Sequence, residues 1–128
     1  MGLDMYLTAR KFYSGSKGQR PMEDGFELEA KDFSAGYWRK HPNLHGLIVE
    51  QFNGGIDNCQ DIDLAPDDIE KIITAVSMNL LPHTDGFFFG NSTGEEKDGD
   101  LEIFRKALDW LSKKEDGVWK SIIYRASW

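Results

Sequence analysis

The chain has 128 residues, a net charge of −7 and a pI near 4.9. That length suffices for one domain with its own core, and apolar and charged fractions of 40% and 29% exclude a fibrous repeat or a disordered chain. The acidity argues against a phosphate-backbone binder, which needs a basic footprint, and no apolar run is long enough to cross a bilayer.

The opening "MGLDMYLTARKF" alternates Leu3, Met5, Leu7 and Ala9 against Asp4, Tyr6, Thr8 and Arg10, a period of two that predicts a half-buried strand. Asp4 stands where a secretory signal wants a basic start, and Tyr6 where a myristoylation site wants Ser or Thr, so neither signal is expected. Residues 14–25, "SGSKGQRPMEDG", predict a flexible loop. "FELEAKDF" alternates again and predicts a short second strand. From Ser34 to Phe52 the pattern turns helical, with Leu44, Leu47, Ile48 and Phe52 on one stripe. Pro42 interrupts it, so either a helical turn over 37–40 precedes a new helix starting at Pro42 or one helix kinks there.

"IDNCQDIDL" predicts a strand, and "PDDIEKIITAVSMNLL" a helix with Ile69, Ile72, Ile73, Val76 and Leu80 on one face. "GFFFG" predicts a buried strand. "GDLEIFRKALDWLSKK" predicts a helix capped by Asp98 or Asp100, with Leu101, Phe104, Leu108 and Leu111 inward. "VWKSIIYRASW" closes as a strand with Ile122, Tyr124, Ala126 and Trp128 on one side. The expected fold is α+β, a mostly antiparallel sheet with about three helices packed against it, in a single domain spanning 1–128.

Several groups carry possible chemistry. His41 and His45 have the i, i+4 spacing of two zinc ligands, but "HPNLH" lacks the Glu of HExxH and holds a helix-hostile proline, so no metal is expected. The bland reading makes His45 a buried, hydrogen-bonded residue and His41 a solvated one. Cys59 is flanked by Asp57, Asp61 and Asp63, which oppose thiolate formation. As the lone cysteine it forbids an intramolecular disulfide and fits a reducing compartment. "PHTDGFFFGNSTG" is either a central strand with its exit turn or the rim of a pocket bearing His83, Thr84 and Ser92. "GNSTG" lacks the GK[ST] of a P-loop. His45, Asp57, Cys59, His83, Thr84 and Ser92 are therefore the candidate ligand-binding residues. No set of residues completes a catalytic constellation, and no cofactor is expected.

Tyr37 and Trp38, beside Arg39 and Lys40, are the expected exposed aromatic–basic group, with Trp110 and Trp119 in the core. The acidic stretch 57–70 has two readings: simple solubility, or a face that mimics nucleic acid before a basic groove on another protein. Tyr37, Trp38, Arg39, Asp61, Asp67 and Asp68 are the candidate partner-binding residues.

"MGLDMYL", "YWRKHPNLHGLIV", "GGIDNCQDIDL", "LLPHTDGFFFG" and "IIYRASW" together resemble a family of small proteins encoded by tailed bacteriophages and prophages. The resemblance spans almost the whole chain apart from residues 14–25. Its recurring positions are Trp38, His45, Asp57, Cys59, His83, Phe88 and Gly90. Ala65 stands where a Ser or Thr cap would be expected, which weakens one helix start. The resemblance implies a setting, the cytoplasm of an infected bacterium, and no catalytic assignment. The expectation is an accessory protein that binds or inhibits a host or bacterial defence protein, without direct contact to nucleic acid or membrane. The alternative is a small-molecule binder or enzyme with a pocket containing His45 and His83.

Overall fold

The computed structural model describes residues 2–15, 19–57, 59–84 and 92–128. The elements run β1 (Asp4–Tyr13), β2 (Met22–Glu23), β3 (Phe26–Glu27), β4 (Ala30–Arg39), α1 (Pro42–Phe52), β5 (Ile62–Leu64), α2 (Pro66–Ser77), α3 (Lys97–Ser112) and β6 (Val118–Ser127). Four strands form a sheet in the order β4-β1-β6-β5, and β2 and β3 form a separate two-stranded ribbon. Every pairing is antiparallel. The fold is α+β.

Alternation in β1 and β6 decides which face is covered. Met5 lies between Trp38 and Ala126, and Leu7 between Gly36 and Tyr124. These side chains, with Ile62 and Leu64 of β5, point to the face on which Leu44, Leu47 and Ile48 of α1, Ile69, Ile72 and Val76 of α2, and Phe104 of α3 close one core. The opposite face carries Tyr6, Thr8, Arg10, Asp32, Tyr37 and Arg125, and no described element covers it. Antiparallel sheets tolerate one wet face because each strand's outward residues can be polar.

The stretch 34–39, expected to be helical, is strand. Leu7 pairs with Gly36 and Thr8 with Ser34, so Ala35 is an extra residue bulged out of β4. The bulge shifts the period of two by one position and hides the strand from a pattern search. Lys40 at φ 55° then ends β4, and α1 begins at Pro42, whose fixed φ and missing N–H suit the first helical position.

The chain departs from its pattern elsewhere for similar local reasons. Asp24 (φ 53°) and Gly25 (φ 83°) turn β2 into β3, the Asp-Gly pair a two-residue hairpin favours, within the stretch expected to be a loop. Among the described residues of the expected strand over 56–64, Ile62–Leu64 pair with β6. Asn79 at φ 57° stops α2, which leaves Leu80 outside the helix and 61% exposed rather than on its buried stripe. The start of α2 lacks a Ser or Thr, and Asp68 instead accepts the Ala65 backbone N–H at 2.9 Å. The α3 helix starts at Lys97 after Glu96. The strand expected at "GFFFG" lies outside the described residues.

Candidate functional site

The N-terminal half of α1 gathers most of the buried polar chemistry. His41, directly before Pro42, is 3% exposed rather than solvated. Its Nε2 lies 2.7 Å from Asp100 Oδ2 on α3, and its Nδ1 lies 2.7 Å from Ser92 Oγ. Asp100, expected to cap a helix, is 1% exposed. Its second oxygen accepts the Trp38 indole N–H at 2.6 Å. Ser92 Oγ accepts the Asn43 backbone N–H at 3.1 Å. An Nε2–H that donates to the Asp100 carboxylate leaves Nδ1 of the neutral imidazole as the acceptor for the Ser92 hydroxyl. The chain is thus Ser92 O–H to His41, His41 N–H to Asp100, with Trp38 fixing the carboxylate. A cleft of about 170 Å³ opens on Ser92 and His41 and is also lined by Val76, Asn79, Leu81 and Lys97.

His45 turns the other way, into the sheet. Its Nδ1 is 2.6 Å from the Tyr124 hydroxyl, and its Nε2 is 3.0 Å from both Asp57 oxygens. Trp128 meets the imidazole edge-on at 5.7 Å between centroids. Burial, with a further contribution from the Asp57 charge, pushes the Tyr124 phenol far above its ordinary value of 10.0. His45, Asp57 and Cys59 therefore line one cavity with Tyr124, but its volume is about 10 Å³, roughly one water molecule. Cys59 has a left-handed φ of 60°.

The remaining ligand candidates fall elsewhere. His83 is exposed and is not part of the His45 cavity. Thr84 packs against Gly46 of α1, where a Cβ would meet the threonine Cβ at 2.9 Å, its Cγ2 at 3.0 Å and its hydroxyl closer still. The Thr84 backbone N–H donates to Asn43 Oδ1 at 3.0 Å. Asn43 thus holds Thr84 with its side chain and Ser92 with its backbone. Ser92 joins His41, not His45.

The partner candidates divide by strand direction. Tyr37, Arg39 and Asp61 lie on the open face of the sheet. Trp38, their neighbour, points into the core at 7% exposure and stacks on Phe104 with centroids 5.5 Å apart. It was expected outside; the alternation of β4 puts it inside. Asp67 and Asp68 sit at the start of α2, away from that face, and Asp68 is committed to the helix cap. Trp119, expected in the core, is 70% exposed opposite Phe12 on β1. Trp110 is half-buried, with Lys120 Nζ 4.9 Å from its ring centroid.

Around Tyr37 the open face is ordered by local bonds. The Tyr37 hydroxyl donates to Asp4 at 2.6 Å, which raises the phenol above its ordinary value, and its ring lies 5.4 Å from that of Tyr6. Arg10 forks onto Asp32 with bonds of 2.6 and 2.9 Å, holding that carboxyl below its ordinary range. Arg39 meets Asp4 at 3.3 Å and Arg125 meets Asp61 at 3.8 Å. A shallow groove of about 470 Å³ runs between Tyr6, Arg10, Asp61 and Arg125.

Sequence reasoning missed Asp100, Tyr124 and Tyr6 as members of these clusters. An acid within the first turn reads as a cap, and a Tyr on an alternating strand reads as packing, so neither carried a signal.

These features define an α+β protein with one covered and one open sheet face, a buried His41–Asp100 pair and a half-buried His45–Asp57 pair at α1. No protein-family model matches the chain, and no curated protein or solved structure matches it either.

Proposed function

We propose that the chain is a cytoplasmic accessory protein of tailed bacteriophages that captures a host or bacterial defence protein on the open face of its sheet. The observation that supports this reading is the exposed aromatic rings on that face, the Tyr6–Tyr37 pair toward one end and Phe12 opposite Trp119 toward the other, with Arg10, Arg39 and Arg125 on the same face. Tyr, Trp and Arg carry most of the binding energy in protein interfaces, and rings already ordered by hydrogen bonds lose little entropy on binding. Tyr37, held by Asp4 and Tyr6, is such a ring.

An aromatic sheet face also suits single-stranded nucleic acid, whose bases stack on it. The charges argue otherwise. Arg10, Arg39 and Arg125 each face an aspartate, and the whole chain carries −7, so phosphates meet no free cationic stripe. Charges of both signs interspersed with exposed aromatic rings suit a protein surface better.

Capture from bacterial lysate by the tagged chain tests the reading. A stable one-to-one complex is expected, and Tyr37→Ala with Trp119→Ala should weaken it at least about 30-fold, the loss of roughly 2 kcal/mol typical of a hot spot. Both side chains are exposed, so the double variant should melt close to wild type. Capture that survives the double variant, or no partner from any susceptible host, would sink the proposal.

A further inference from the structure

The buried chain Ser92–His41–Asp100 joins three groups whose combined geometry the partner-binding reading leaves unused. We propose that Ser92, His41 and Asp100 form a serine-nucleophile site that hydrolyses a short-chain acyl ester in the cleft beside α1.

Three features of the geometry carry the assignment. A hydroxyl is activated when a base accepts its proton and a third group orients that base. Ser92 Oγ stands 2.7 Å from His41 Nδ1, and His41 Nε2 stands 2.7 Å from Asp100 Oδ2, so both contacts are within hydrogen-bond reach. The imidazole and the carboxylate are each almost wholly buried, while Ser92 lines the cleft. The nucleophile is thus reachable and its supports are shielded from water. The second feature is how the serine is held: Asn43 N–H donates to Oγ and positions it, while an Nε2–H donated to Asp100 leaves His41 Nδ1 as the acceptor for the serine proton. The third is Trp38, whose 2.6 Å bond to the other Asp100 oxygen keeps the carboxylate from rotating away. Serine meets Nδ1 and aspartate Nε2 here, the reverse of the Ser-His-Asp arrangement in which Nε2 faces the serine. The chemistry requires only a lone pair on the serine side and an N–H on the carboxylate side, which the Nε2–H tautomer supplies.

The cleft sets the substrate class. Its volume of about 170 Å³ is below the range of drug-sized pockets and admits an acyl group of a few carbons. Val76 and Leu81 supply an apolar wall for that chain; Asn79 and Lys97 line the same cleft as the donor-bearing residues nearest the carbonyl oxygen, and Glu96, also in its lining, is held by the Thr93 and Gly94 backbone N–H groups.

In the first step the Ser92 Oγ–acyl carbon bond forms while His41 Nδ1 takes the hydroxyl proton. The acyl carbon–oxygen bond then breaks, and His41 returns the proton to the departing alkoxide, releasing an alcohol. Water enters, gives a proton to His41 and bonds its oxygen to the acyl carbon. The Oγ–carbon bond breaks as Ser92 recovers the proton, and a carboxylic acid leaves. Asp100 and Trp38 are positioning residues throughout.

Two measurements on the full chain test the site, with p-nitrophenyl acetate and a fluorophosphonate as probes. The wild type should hydrolyse the ester above the buffer rate and gain one fluorophosphonate adduct, mapped to Ser92. Ser92→Ala, which removes no buried charge, should fold, lose the adduct and fall at least about 100-fold in kcat/KM. Asp100→Asn should lower kcat with little change in KM, because it misdirects the base without touching substrate. If that variant fails to fold, the wild-type adduct still decides. A wild type that takes no adduct, an adduct on Cys59 or Lys97 in its place, or hydrolysis equal to that of Ser92→Ala overturns the proposal.

Discussion

Asp100 accepts from His41 on one oxygen and from the Trp38 indole on the other, both at 2.7 Å or less and away from water. Removing the carboxylate strands two buried donors and leaves a void beside Phe104. Asp100→Ala is therefore expected to cost about 2–5 kcal/mol, since each buried donor left without its acceptor costs about 1–3 kcal/mol. Urea unfolding followed by tryptophan fluorescence measures it, and a loss below about 1 kcal/mol would mean the pair is not formed. Tyr124 makes a second prediction at this scale. Its phenol is raised in the folded state, so its contribution is complete below the ordinary value of 10.0 and is lost as pH rises beyond it. Stability should fall by up to about 1.4 kcal/mol per pH unit between pH 10 and 12 through Tyr124. Tyr37 is raised too and adds in the same direction, so the informative quantity is the difference between wild type and Tyr124→Phe. The variant should show the shallower alkaline loss.

At the scale of elements, α1 acts as a clamp. Its first turn holds Ser92 through the Asn43 backbone and Thr84 through the Asn43 side chain, and Gly46 gives Thr84 room to lie against the helix. An alanine in a helix is ordinarily better than glycine by about 1 kcal/mol. Here its Cβ would collide with Thr84, and overpacking of this kind costs about 1–3 kcal/mol. Gly46→Ala is thus expected to destabilise by about 1–2 kcal/mol, and the change should become neutral or stabilising when combined with Thr84→Gly. A double-mutant cycle from thermal melts checks this, since only contacting residues couple. Stabilisation by Gly46→Ala alone would show that Thr84 does not pack there. The same element scale explains what was legible. Helices α2 and α3 announce themselves because Ile69, Ile72 and Val76, or Phe104 and Leu108, recur at the helical period without interruption. β4 does not, because one bulged residue at Ala35 displaces every later side chain to the other face of the pattern.

For the whole molecule, the open face and the outer strand ends concentrate ion pairs rather than cover. Arg10 holds Asp32 below its ordinary value of 3.8, and Lys11 holds Glu115 below its ordinary value of 4.5. Lowered carboxyls contribute stability above those values and lose it as pH falls through and below them. Acid should therefore weaken the fold progressively from about pH 4.5 downward. High salt should blunt the effect because these pairs are exposed to solvent. Melting curves at pH 3, 4 and 6 with and without 1 M salt follow it, and a melting temperature independent of pH over that range contradicts it.

Period and punctuation alone pointed to the α+β class, the inward stripes of α2 (Leu80 apart) and α3 and the alternation of β1 and β6, and offered a start of α1 at Pro42 as one of two readings. Each depends on neighbours a few residues apart, and local spacing survives folding. Which imidazole met which carboxylate was decided only in three dimensions. His41 and His45 are four residues apart, yet one reaches 59 residues to Asp100 and the other 79 to Tyr124. Those pairings follow from how α1 packs between α3 and the sheet, and no pattern in the chain encodes the distance between groups that far apart. The same holds for the exposed face, since Tyr6, Tyr37 and Trp119 become one surface only when β4, β1 and β6 align.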